Sequence, residues 1–69
     1  MTMTQQVIIE EIKAHRDSGK VLYRGTRVAP LESVLARITG YDQFWVDDNC
    51  IWHPAVVESE VWRVTWRTP

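Results

Sequence analysis

The chain is short of cysteine, histidine, glycine, proline and net charge, and each shortage excludes something. A single cysteine, Cys50, cannot form an internal disulfide, so a disulfide-stapled secreted mini-protein is excluded. Two histidines, His15 and His53, supply few ligands for a zinc site, which needs about four. With three glycines and three prolines there is no linker, internal repeat or low-complexity segment. The formal net charge of −1 and the pI of about 6.0 lack the basicity that marks nucleic-acid-binding domains. No apolar run is long enough to span a bilayer, and no charged-then-apolar leader is visible. The expectation is a small soluble cytoplasmic domain, 1–69, with no cofactor and no membrane partner. At 69 residues the chain has little room for a substrate cleft. It also buries only about 60% of its unfolded surface, so its stability is narrow.

What is present is aromatic and unevenly charged. Four tryptophans, Trp45, Trp52, Trp62 and Trp66, all lie in the second half. Tryptophan fills the cores of small domains and is also enriched at binding hot spots. Residues 38–62 contain no lysine or arginine but hold Asp42, Asp47, Asp48, Glu58 and Glu60. Residues 13–37 carry Lys13, Arg16, Lys20, Arg24, Arg27 and Arg37 against only Asp17 and Glu32. The near-zero net charge therefore hides a split along the chain.

Local patterns predict an α+β fold: two helices packed on a small, mainly antiparallel sheet, in the order α-β-α-β-β-β. The first helix is expected over 4–18. Thr4 suits its N-cap and Ser18-Gly19 its end. Ile8, Ile9 and Ile12 fall on one side of its wheel, and Met3, Val7 and Ala14 on another. A helix apolar on two sides suggests one side facing a partner. Residues 21–28 are strand-like, with Gly25 marking a bulge or turn. A second helix is expected over 30–39. Pro30 opens it, Gly40 follows it, and Leu31, Val34, Leu35 and Ile38 form one stripe. Beyond it, 43–46 and 50–52 flank Asp47-Asp48-Asn49 as a hairpin, with Asn49 suited to a left-handed conformation. Residues 60–67 alternate, with Trp62, Val64 and Trp66 on the inner face.

No complete catalytic set is present, so no enzyme is expected. Cys50 and His53 have C-x-x-H spacing, half of a zinc motif, and also match a nucleophile–base pair without an orienting third group. Asp47-Asp48 serves the turn more readily than acid–base chemistry. The leading functional reading is a small protein-binding module of regulatory or inhibitory type. Its contact is formed by Trp45 with Asp42, Asp47 and Asp48, and its partner has a basic surface. Trp45 is chosen because Phe44 and Val46 share a strand face, which turns Trp45 to the other. Free-standing domains of this size include phage or mobile-element inhibitors, an analogy only. The alternative is a nucleic-acid-binding regulator using Arg16, Lys20, Arg24 and Arg27. Its string Arg24-Gly25-Thr26-Arg27-Val28, followed by a helix, resembles the strand-then-helix motif of small antitoxin-like DNA-binding proteins. Trp62 and Arg63 fall on opposite strand faces, whereas a base-stacking platform needs aromatic and arginine together on one exposed face. A homodimer is compatible with either reading, since it would cover an extra apolar strip and open sheet edges.

Overall fold

The computed structural model describes residues 5–39 and 43–69. The element order is β1 (Gln6–His15), β2 (Val21–Pro30), α1 (Glu32–Ala36), β3 (Trp45–Asp47), β4 (Cys50–Pro54) and β5 (Glu60–Arg67). All strands lie in one sheet of order β2-β1-β5-β4-β3, and every neighbouring pair is antiparallel.

This corrects the expected α+β fold of two helices on a sheet. The segment expected as the first helix is the strand β1, paired on both sides, by β2 and by β5. Its residues explain why. Val7, Ile8, Ile9 and Ile12 are β-branched and lose rotamer freedom in a helix, but pack well on a pleated surface. Two apolar sides of a helical wheel are equally the two faces of a strand that is apolar on both. Ser18-Gly19 does end the element, as the turn of the β1–β2 hairpin. Gly19 sits at φ 74° and donates its N–H to the His15 carbonyl at 2.9 Å. Thr4 and Met3 lie outside the described residues.

Gly25 is neither bulge nor turn. It stays in register opposite Glu11, and the Tyr23 ring fills the space its side chain would need. The bulge lies further along, where Lys13 pairs with Tyr23 but Ala14 with Val21, so Leu22 is the extra residue. The second expected helix shrinks to the five residues of α1, because Pro30 closes β2 instead of opening the helix. Past Ala36 the chain continues in tight turns, with Arg37, Ile38 and Thr39 each bonded three residues back. Of the predicted stripe, Val34 is buried and Leu31 and Ile38 pack on the core, while Leu35 is exposed.

The β3–β4–β5 meander follows the sequence closely. Asp47 pairs with Cys50, so the β3–β4 loop is the two residues Asp48 and Asn49, one fewer than expected. Asn49 takes the left-handed conformation at φ 49°.

Alternation divides the sheet into two unlike faces. One face lies under α1 and carries the core of Val7, Ile9, Ala29, Ile51 and Val64, closed by Val34. Trp66 packs against this core, and Trp62 lies further along the same face. No element packs across the other face among the described residues. No described helix is long and apolar enough to cross a membrane.

Candidate functional site

The helix-covered face holds a polar cluster beside the core. Glu11 accepts a hydrogen bond from Arg27 Nε at 2.8 Å and a second from Arg37 Nη1. Arg37, at the end of α1, also lies over the Trp62 ring at 5.0 Å, and Lys13 reaches the same ring at 5.7 Å. Tyr23 meets Trp62 edge-on, with centroids 5.7 Å apart. Burial alone would raise the Glu11 carboxyl pKa. The Arg27 hydrogen bond and the two guanidinium charges outweigh it and hold the pKa below the ordinary 4.5.

His53 completes the cluster and is only 4% exposed. Its Nδ1 lies 2.8 Å from the Pro54 carbonyl, which can only accept, so Nδ1 carries the proton. Nε2 is then an acceptor facing Arg37 Nε at 3.4 Å. Burial first, and the Arg37 charge with it, hold the His53 pKa below the ordinary 6.5, against the Pro54 bond and the Glu11 charge. The sign follows from proton uptake. As pH falls through 6.5 the unfolded chain gains a proton that the native chain refuses, so stability is lost. Urea midpoints of the native protein should therefore fall from pH 6.5 downward, and His53→Gln should lack this first decline. An unchanged decline in the variant would assign it to another group.

The sequence-level chemical pairs do not assemble. Cys50 and His53 are three residues apart on a strand and point to opposite faces, which removes both the zinc half-motif and the nucleophile–base pair. Burial raises the Cys50 pKa, away from a reactive thiolate. Asp47 serves the turn, its Oδ1 accepting the Asp48 N–H at 2.8 Å. No group of three or more metal-ligating side chains occurs among the described residues.

Of the predicted contact residues, Trp45 and Asp47 lie on the uncovered face and Asp48 in the hairpin turn beside it. Strand register aligns Trp45, Trp52, Arg63, Ile12 and Arg24 in one row across all five strands. Trp45 is 69% exposed and Trp52 38%. Between them lies a shallow depression of about 330 Å³, lined among the described residues by the two indoles. A second hollow of about 340 Å³ continues past Phe44 and Pro54 toward Val61 and Arg16. Arg63 sits over the Trp52 ring at 5.5 Å, with its Nε buried and without a hydrogen-bond partner. Asp47 and Asp48 are exposed at the hairpin tip beside Trp45. Asp42 lies outside the described residues.

The basic set is dispersed. Arg24 is exposed on the open face, while Arg27 points to the opposite face and is engaged by Glu11. Arg16 and Lys20 lie in the β1–β2 turn. Sequence reading missed Trp52 and Arg63 as members of the surface. The strand alternation around each was readable, but the register that sets Trp52 opposite both Trp45 and Arg63 was not. The chain has no significant match among protein-family models, curated proteins or solved structures.

Proposed function

We propose that the chain is a non-enzymatic protein-binding module of regulatory or inhibitory type. The observation that carries this reading is Trp45, exposed opposite Trp52 on a sheet face that no described element covers, with Asp47 and Asp48 at the adjoining tip. Large aromatic anchors supply affinity when desolvated, and flanking carboxylates steer a partner with a basic surface. The nucleic-acid alternative has less support, because Arg16, Lys20, Arg24 and Arg27 do not form one surface and Arg27 is already paired.

The test is affinity purification from the native host, with protein and nucleic acid both detected in the eluate. Trp45→Ala should weaken capture of the partner roughly tenfold or more, and Asp48→Lys should weaken it by slowing association. Circular dichroism checks that both variants fold. Retained capture by both would remove the reading. Nucleic acid in the eluate, released steeply by salt, would favour the alternative.

A further inference from the structure

A solvated face of an antiparallel sheet is normally polar. Here the open face carries Ile8, Val28, Trp45, Trp52 and Val61 around Ile12, which is itself only 4% exposed. Its two edge strands carry opposite charges, with Glu10, Arg63 and Arg67 on the strands between them. The β2 edge presents Arg24, which makes no ion pair among the described residues. The β3 edge presents Asp47 next to Trp45. The two other tryptophans that reach a cation do so within the chain: Trp52 under Arg63, and Trp62 under Lys13 and Arg37. Trp45, the most exposed, has no cation over it among the described residues.

We propose that this face is closed by a second copy of the chain, packed face to face about a two-fold axis running along β5, so that Arg24 of each copy lies on Trp45 and beside Asp47 of the other. β5 is the middle strand of five, so this axis exchanges the two edges while keeping each row in line. Trp45 then meets Arg24, Trp52 lies over the row position of the nearly covered Ile12, and the acidic edge lies on the basic one. A two-fold axis across the strands would instead set like edges together, β3 on β3 and β2 on β2. Arg63 falls on the axis, and its stacking on its own Trp52 draws the two guanidiniums aside. Strand spacing and rise give each copy a face of roughly 500 Å² in projection. Counted as accessible surface over both copies, this clears the roughly 1,000 Å² expected of a specific interface. Aligned sheets packed about 10 Å apart are an ordinary arrangement.

The second copy and the proposed partner compete for Trp45 on the same face, so the inference does not depend on the partner contact, and it is tested on purified protein alone. Analytical ultracentrifugation of the full chain should show a concentration-dependent dimer. Trp45→Ala, Arg24→Glu and Asp47→Arg should each raise the dimer dissociation constant roughly tenfold or more. Mixing Arg24→Glu with Asp47→Arg should restore a mixed dimer, because one site is then native and the other has its charges exchanged. Circular dichroism checks each variant for folding. A native chain that stays monomeric to roughly 100 µM overturns the proposal. So does a dimer that survives both Trp45→Ala and Arg24→Glu, which would point to pairing along the β2 edge. Asp48→Lys, at the hairpin tip, should leave the dimer intact. Loss of partner capture in that variant alone therefore reads the partner contact, and loss of dimer in Arg24→Glu reads this one.

Discussion

Ile9→Ala is expected to lower the unfolding free energy by about 3 kcal/mol, read as a lower urea midpoint with an unchanged slope. Ile9 is 0% exposed, centred between β2 and β5, and packed with Val7, Val34, Ile51 and Val64. Truncation removes its transfer free energy and leaves a cavity that a thin, one-sided core can close only in part. A chain of 69 residues has a total stability of only about 3–10 kcal/mol, so the loss takes much of it. The neighbouring Ile8→Ala is the control. Ile8 points to the open face and is half-buried, so its truncation should cost about 1 kcal/mol where the chain is monomeric. On a helix the two residues would share one buried side and cost the same. Equal losses would therefore contradict the strand.

Glu11→Gln is expected to cost about 2 kcal/mol at neutral pH. The carboxylate is shared by Arg27 and Arg37, and removing it strands the half-buried Arg37 over Trp62 and beside His53. Breaking a fully buried pair costs about 3–5 kcal/mol, and the exposure of Arg27 reduces that here. The native Glu11 pKa is depressed, so its contribution is present above the ordinary 4.5 and is lost as pH falls through the native value. Native protein and Glu11→Gln should accordingly converge in acid, below the His53 decline that both share. Urea titrations at a series of pH values check this, and a gap that stays constant would assign the loss to shape alone. Combining Glu11→Gln with Arg37→Met should recover part of the stability, because no unpaired charge is then left under the helix.

What could be read locally was the second half of the chain. Trp62, Val64 and Trp66 alternate with Val61, Arg63 and Thr65, and strand period two is a local property. Asp48-Asn49 marked the hairpin because few residues tolerate a positive φ, and Asn49 is one that does. Trp45 and Val46 face opposite sides, as the same alternation expects, whereas Phe44 precedes the strand and lines a hollow together with Trp45. The first half misled because its signal was ambiguous. Val7, Ile8, Ile9 and Ile12 fit two sides of a helix or two faces of a strand, and the choice rests on partners. β5, some 50 residues away in sequence, pairs with β1 and decides it. β-branched residues on both faces were the local clue that favoured the strand.

By itself, the sequence determined that its one cysteine closes no internal disulfide, and it marked the meander of β3, β4 and β5 with Asn49 at its tight turn. Only the tertiary structure decided which residues stand together. Register across five strands set Trp45, Trp52, Arg63, Ile12 and Arg24 in one row. Among the described residues, the one short helix covered one sheet face and left the other open. It also brought Arg37 onto Glu11 and His53, 26 and 16 residues distant in the chain. The physical reason is that alternation fixes a side chain's face from its neighbours alone. Which faces meet depends on hydrogen-bond pairing between distant segments and on where the one helix comes to rest.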